Sequence, residues 1–333
     1  MPALLFLLTS CTVCCADGNA TWNYPAYTDE ALWTRGNIAL VEVIRLEGSP
    51  VTVTLAVRDA YGGRLGKEVT HPLERITLPG RNDPEATARV VLPGARFVLS
   101  PAQDASGLVI ADPAPRSSPL PAALTEIAAA RTAGTTAAHA ALLTSQADLV
   151  VMYALLRLSH SAGLVPPSLA PPHPPRVFFQ LRADAAPALS YTPQIKSRLE
   201  SVRNNKKNRL EIRIIAASVL AADPSRPQAL REQFDWCLEQ YASLPAGSED
   251  RNQMGWHVRH FPGFASEGLR FIVARAEDRR QTAANRVDAV GLLGFPDARP
   301  LASWSAGDHL EAAVLHRLLD DTDPRVRLAS VRA

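Results

Sequence analysis

The apolar period of this chain changes once along its length, and that change limits its fold more than any other feature. Over residues 37–112 the period is two; in residues 51–57 valine or leucine occupies every second position. Alternation places the apolar side chains on one face of a strand. Beyond residue 120, apolar residues recur every three to four positions, as on one face of a helix. The sequence therefore predicts a multidomain α+β protein.

A small N-terminal β-barrel or sandwich is expected over residues 22–112. Strands are predicted at residues 38–46, 51–57, 68–70, 75–78, 89–92, 96–99 and 108–111, which are separated by glycine or proline. The tetrapeptide Glu47-Gly48-Ser49-Pro50 has turn chemistry, so the first two strands should form a hairpin. Six or seven short strands close most readily into a barrel or a sandwich.

The N-terminus has the layout of an export signal. An apolar run at residues 3–8 is followed by small residues, and it is too short to span a bilayer as a helix. The sequence Leu8-Thr9-Ser10-Cys11 resembles the lipobox of bacterial lipoproteins, which would make Cys11 a lipidated anchor, although no basic residue precedes the run. Cleavage after Ala16 and a buried N-terminal element are the alternatives. We expect a signal over residues 1–16 and export to the periplasm, the outer envelope or the medium.

The β module also resembles an OB-like envelope domain. The strand at residues 51–57 leads to a glycine-bounded step at residues 61–69, and a Pro93-Gly94 turn later opens a strand that carries Phe97. That resemblance implies binding of oligonucleotides, carbohydrates or peptides. Nucleic acid is not expected, because aromatic residues are not interleaved with basic ones on these strands.

The remainder of the chain divides at its proline-rich stretches. Residues 113–120 form a linker, residues 121–165 a helical segment, and residues 166–194 an extended proline-rich connector. The connector is either a stiff spacer or a ligand for a proline-binding module.

A pattern that begins near Asn285 recurs once in the C-terminal region. The later copy begins with Asp323 as a helix N-cap and Pro324 at the first helical position. The two copies align Arg286 with Arg327, Val287 with Leu328, and Val290 with Val331. Between them a helix at residues 309–319 is expected to turn Leu310, Ala313, Val314 and Leu318 inward. The spacing of the two copies is typical of a two-helix repeat.

The motif at residues 321–327, Asp-Thr-Asp-Pro-Arg-Val-Arg, resembles the HEAT-repeat family. The resemblance implies an all-α HEAT-like solenoid over residues 195–333, clearest over residues 265–333. An earlier helix at residues 211–220 has a similar residue pattern, but it does not lie a whole number of such repeats before Asn285. Because a solenoid hides its terminal apolar faces, we expect the array to be truncated at its C-terminus.

Seven basic residues cluster around the Asn204-Asn205 turn. Two helices meeting there would form a positive ridge, with Ile195, Leu199, Val202, Leu210 and Ile214 facing inward. The ridge is either a solvated helix face or a contact for an acidic partner or anionic headgroups. The interaction candidates are Lys196, Arg198, Arg203, Lys206, Lys207, Arg209 and Arg213.

Few residues suggest chemistry. His257 and His260 would share a helix face and are weak candidates for a metal site, but no third ligand lies nearby; a loop that packs two repeats together is the alternative. Cys237 is expected to be a small buried apolar residue. No catalytic residue, metal or cofactor is predicted.

The leading hypothesis is a non-enzymatic, exported or lipid-anchored envelope protein that acts as a scaffold for a protein partner. A net charge of +2 gives no overall field for nucleic acid or membrane, so the membrane would be reached only through the lipid anchor. One alternative is an enzyme, or an accessory subunit of one, that uses His257 and His260. Another is a carbohydrate- or peptide-binding β module.

Overall fold

A computed structural model describes residues 27, 33, 38–63, 65–79, 84–101, 108–165, 180–181, 188–261, 263–293 and 306–333. The predicted signal with Cys11, and most of the proline-rich connector, lie outside the described residues. The chain divides into two compact units, Met1–Ser118 and Pro119–Ala333. The first contains a six-stranded sheet and the second is mostly helical, which confirms the predicted α+β organisation. In the described part, no helix is long and apolar enough to cross a membrane.

The first unit is built on one sheet with the order β3-β2-β1-β5-β6-β4. Its neighbouring strands are antiparallel except for the parallel pair β4 and β6. β1 and β2 form the predicted hairpin, in which Val43 lies opposite Leu55 and Glu47 opposite Thr52. The strands are β1 Ile38–Glu47, β2 Thr52–Gly62, β3 Glu68–Pro72, β4 Ile76–Thr77, β5 Arg96–Pro101 and β6 Val109–Pro113.

Alternate residues of these strands form the core of the first unit. Val41 and Val43 on β1 meet Val53 and Leu55 on β2 in one buried cluster, which also includes residues of β4, β5 and β6. The two-residue spacing within each strand is the one that the sequence predicts. A register shift between Val43 and Arg45 changes the phase of this spacing in β1, because Ile44 and Arg45 are both exposed and Leu46 is the next residue that packs against the core.

The strand predicted at residues 89–92 is wrong. The helix α1 Pro84–Val90 occupies this place. Proline at the first helical position, followed by glutamate and alanine, favours helix over strand. The two adjacent valines, Val90 and Val91, gave the misleading strand signal.

Two aromatic residues near the N-terminus belong to the first unit. Tyr27 and Trp33 are 0% and 2% exposed. The Tyr27 hydroxyl donates a hydrogen bond to Asp112 Oδ2 on β6, and the Trp33 indole donates to the Tyr27 carbonyl at 2.8 Å. Burial raises the pKa of Tyr27 well above its ordinary value, and the neighbouring Asp112 raises it further. Tyr27 is therefore bound to β6 by a buried hydrogen bond, and Trp33 is bound to Tyr27.

The second unit contains eleven described α-helices. They are α2 Leu120–Ala133, α3 Thr136–Ala141, α4 Asp148–Ser161, α5 Pro193–Asn204, α6 Leu210–Ala221, α7 Ala229–Ser243, α8 Glu249–Arg259, α9 Ala265–Glu277, α10 Ala283–Gly291, α11 Ala306–Leu318 and α12 Pro324–Arg332. A two-residue ladder pairs β7 Leu164–Val165, at the end of the predicted helical segment, with β8 Gln180–Leu181 in the predicted connector.

Side-chain caps fix where several of these helices begin. The hydroxyl oxygens of Thr192, Ser248 and Thr282 accept from backbone amides at the starts of α5, α8 and α10. The Asp323 carboxylate accepts from the Arg325 amide ahead of α12, with Pro324 at the first helical position. The predicted cap at Asp323 is confirmed, and it stabilises amides that would otherwise lack a partner.

The helices of residues 193–332 pack as successive neighbours. From α5 to α10 each helix contacts the next, and α11 contacts α12; in addition, α4 contacts α6, α9 contacts α11, and α10 contacts α12. The helices α6, α8, α10 and α12 begin at Leu210, Glu249, Ala283 and Pro324, so their starts are spaced at similar but unequal intervals. The interval from α6 to α10, which did not fit a whole number of repeats, is thus divided by α8 into two steps.

The inward face predicted for α11 is partly wrong. Val314 and Leu318 are buried, but Leu310 is 38% exposed and Ala313 is also exposed. Glu311, only 3% exposed, turns inward instead. The helix is rotated because this carboxylate pairs with a buried arginine of α8.

Candidate functional site

A groove on the second unit is the most site-like feature of the described residues. One stripe of α10 and one stripe of α12 form its two walls, and together they enclose a volume of about 740 Å³. The α10 wall contains Ala284, Val287 and Gly291, and the α12 wall contains Arg325, Leu328 and Arg332. Each stripe follows helical spacing, so each wall is one continuous helix face.

Trp256 of α8 extends the apolar lining of this groove, beside the loop residues Ala246 and Gly247. The ring is half-buried; it stacks on the His260 ring at 5.5 Å, and the Arg259 guanidinium lies 5.1 Å from its centroid. These contacts fix the indole in place. A rigid, partly exposed tryptophan in a concave site is typical of the residues that dominate protein interfaces.

Three charged residues line the groove, and their charges do not balance. The Asp288 carboxylate accepts from the Gly247 amide at 2.8 Å and lies 3.3 Å from the Arg251 Nε, so a buried guanidinium offsets it. Arg325 pairs with Asp323 at 3.0 Å. Arg332 has no acidic partner among the described residues. The groove therefore carries a positive edge.

Buried ion pairs hold the helices that form the groove. Arg286 of α10 donates to both carboxylate oxygens of Asp321, with Nη1 lying 3.1 Å from Oδ1 and Nη2 bonded to Oδ2. Its Nε also donates to the Ala276 carbonyl at 2.9 Å. The Arg286 hydrogen bonds lower the pKa of Asp321 below its ordinary value. Because Asp321 lies just ahead of α12, this pair fixes α12 against α10.

The predicted histidine pair does not form a common site. His257 is 4% exposed and packs edge-on against Phe261 at 5.4 Å, whereas His260 follows the end of α8 and is exposed. The helix ends between them, so they do not share a face. The described residues contain no group of three or more His, Cys, Asp or Glu side chains that could hold a metal ion.

The predicted basic run folds as two helices around the Asn204-Asn205 turn, and all five residues expected to face inward are buried. The prediction that Arg213 lies on an exposed ridge is wrong, because this residue is only 7% exposed. Its guanidinium lies over the Trp236 ring at 5.6 Å and donates to the Arg203 carbonyl and to Gln240 Oε1. Burial lowers the pKa of both Arg203 and Arg213.

The other basic residues of the run are partly engaged. Lys196 and Arg198 are half-buried, and Lys196 pairs with Asp223 at 2.6 Å. Lys206, Lys207 and Arg209 are exposed, and Arg209 pairs with Glu211 at 3.1 Å. A cleft of about 480 Å³ beside them is lined by cations but also by Glu211 and Asp250, which weakens its positive potential. Their role in partner binding stays a prediction.

Sequence reasoning missed the groove, although it found half of it. The repeat alignment paired Val287 with Leu328, and both line the groove. The alignment predicts a repeat and does not predict an open groove. Contact between α10 and α12 brings these residues together, and the repeat period alone does not specify which faces of the two helices stay open.

Comparisons with other proteins identify no relative. The chain matches no protein-family model, no curated protein and no solved structure.

Proposed function

We propose that this protein is a non-enzymatic, exported scaffold that binds a protein partner through the groove between α10 and α12. The observation that carries this proposal is the groove itself: it is concave, mostly apolar, walled by two helices and extended by a fixed tryptophan. Apolar concavities with aromatic and arginine residues are the usual anchors of protein interfaces.

A HEAT-like solenoid is the architecture that we propose for the helices of residues 193–332. The contacts of α9 with α11 and of α10 with α12 support it. In a stack of helical hairpins, the first helix of one hairpin contacts the first helix of the next, and the second helix contacts the second. The unequal intervals between the starts of α6, α8, α10 and α12 are compatible with a degenerate repeat. Such stacks expose extended faces for binding.

A recurring arginine gives further support to stacked hairpins. Arg213, Arg251, Arg286 and Arg327 each lie in the first turn of α6, α8, α10 and α12. Each donates to a main-chain carbonyl that precedes its own helix. Arg213 donates to Arg203 at 3.0 Å, Arg251 to Leu244 at 2.8 Å, Arg286 to Ala276 at 2.9 Å and Arg327 to Asp321 at 2.7 Å. The same bond closes each hairpin, which indicates one repeated unit.

Site-specific photo-crosslinking in the producing cells tests the scaffold. A photoreactive amino acid placed at Leu328 should give a discrete crosslinked protein adduct, identified by mass spectrometry. The same group placed at Glu126, which is exposed on α2, is the control. Adducts of equal yield and identity at both positions, or none at Leu328, would contradict the proposal.

Export and lipidation of Cys11 form a separate part of the proposal, which rests on residues 1–16. Metabolic labelling with a fatty-acid analogue should mark the protein and fail to mark Cys11→Ser. Recovery of the chain with an intact N-terminus from the cytoplasmic fraction would exclude both export and the anchor.

A further inference from the structure

We infer that the groove receives an amphipathic α-helix with carboxylates along its edge. The inference rests on the proposed function and specifies the chemistry of the partner. The argument uses the apolar residues that face the groove, the shape of the groove and its charge.

Apolar side chains face the groove from both of its walls. Leu328 on α12 lines the groove and is 49% exposed, and Val287, its equivalent on α10, lines the opposite wall and is half-buried. An apolar side chain of an occupant can therefore pack between these two residues.

The shape of the groove favours a helix as its occupant. Ala284, Val287 and Gly291 recur at helical spacing along one wall, and Arg325, Leu328 and Arg332 along the other. Two helical ridges with a channel between them form a surface into which the ridge of a third helix can fit. A helix of about ten residues would cover the length of these walls, which span two turns of each helix.

Charge specifies the edge of that helix. The sequence of α12 contains Arg325, Arg327 and Arg332 and no carboxylate. Arg325 is offset by Asp323, and Arg327 donates to the main-chain carbonyls of Asp321 and Thr322. The one carboxylate in the groove, Asp288, is offset by Arg251. The net field is positive, so acidic side chains flanking the apolar stripe of the partner are complementary to it.

The same observations argue against a membrane surface. Exposed Leu328 and Val331 with three arginines would suit anionic lipid, but the apolar lining extends into a concavity that includes Trp256 and Val287. A bilayer surface contacts convex residues and does not follow an inter-helix channel. A protruding side-chain ridge reaches both walls.

The test uses the full chain and three labelled synthetic helical peptides of about 14 residues, with titrations followed by fluorescence anisotropy. The first peptide has leucines at helical spacing and glutamates beside them. In the second peptide lysines replace the glutamates, and the third peptide is the first with a proline at its centre. The glutamate peptide should bind at least about tenfold more tightly than either of the others.

Two variants assign the binding to the groove. Leu328→Asp should abolish it, whereas Leu319→Asp, which changes a 40% exposed residue that does not line the groove, should leave it intact. Arg332→Glu should weaken the glutamate peptide and strengthen the lysine peptide, a reversal that a merely destabilised protein would not give. Circular dichroism spectra verify that each variant is folded.

Several outcomes would overturn the inference. Binding that ignores peptide charge or the proline break would exclude an acidic helix, as would no binding at about 1 mM peptide. Binding to phosphatidylglycerol vesicles in preference to the peptides would assign the surface to lipid. A dimer lost in Leu328→Asp would assign it to a second copy of the chain. The scaffold proposal would still be tested separately by the adduct at Leu328.

Discussion

The Arg259 Nη2 of α8 lies 2.6 and 2.7 Å from the two carboxylate oxygens of Glu311 on α11, across 52 positions of sequence. The Arg259 and Glu311 side chains are only 10% and 4% exposed. Arg259 also donates to the Leu292 carbonyl that follows α10. One guanidinium therefore connects α8, the residue that follows α10, and α11, and it lies over the Trp256 ring that lines the groove.

Glu311→Gln should destabilise the helical unit by about 3–5 kcal/mol, because it leaves the buried Arg259 charge without its counter-charge. Urea unfolding followed by helical circular dichroism measures this loss. The matched control is Glu277→Gln: Glu277 pairs with Arg317 at 2.6 Å, but at the surface, and its loss should cost less than about 1 kcal/mol. An equal loss of unfolding free energy in the two variants would show that burial does not determine how much these ion pairs contribute to stability.

Asp321 should make the unit sensitive to acid. Its pKa is lowered in the folded state by the hydrogen bonds from Arg286, so its stabilisation is complete above the ordinary value of about 3.9 and is lost as pH falls below it. Asp321→Asn should lower the urea midpoint at pH 7, and its effect on the midpoint should become progressively smaller as pH falls below about 3.9. The exposed Asp320→Asn is the control. A difference from wild type that is independent of pH would refute this assignment.

Gly268→Ala should destabilise the packing of α9 on α8. An added Cβ would collide with the Val258 carbonyl and lie 2.9 Å from its carbon, both backbone atoms that cannot rotate away. Overpacking of this kind costs about 1–3 kcal/mol. Gly291→Ala, where a Cβ meets nothing within 4 Å, should instead be neutral or stabilising. The thermal unfolding midpoint should therefore fall for Gly268→Ala and should stay the same or rise for Gly291→Ala.

Tyr27→Phe should loosen the first unit and leave the helical unit unchanged. The substitution removes the hydroxyl that donates to the buried Asp112, a loss of about 1–3 kcal/mol. Hydrogen exchange measured by mass spectrometry should speed up in β5 and β6, and peptides of α6 to α10 are the internal reference. Unchanged exchange in β6 would mean that this hydroxyl does not stabilise the sheet.

The Cys237 thiol should be unreactive in the folded protein. It is free and 0% exposed, and burial raises its pKa above the ordinary value, so little thiolate forms near neutral pH. Alkylation of the peptide that contains Cys237 should be roughly 100-fold or more slower in native than in urea-unfolded protein. Comparable rates in the two states would contradict the burial of this residue.

Local patterns predicted most of the elements. The hairpin of β1 and β2, the cap at Asp323 and the burial of Cys237 all depend on neighbouring residues, and all are confirmed. The failures have a common cause. Arg213 was assigned to an exposed ridge by its charge, and the inward face of α11 was assigned from its apolar residues. Arg213 and Glu311 are instead buried against partners that lie 10 to 52 positions away along the chain, which local patterns do not predict.

The sequence by itself determined where strands give way to helices, because period and capping are properties of adjacent residues. Tertiary structure decided which charged residues are buried and which apolar residues stay open. Val290 and Val331 occupy the same position of a repeated pattern, yet one is fully buried and the other 71% exposed. Exposure depends on the neighbouring helix, and a repeat period does not specify that neighbour.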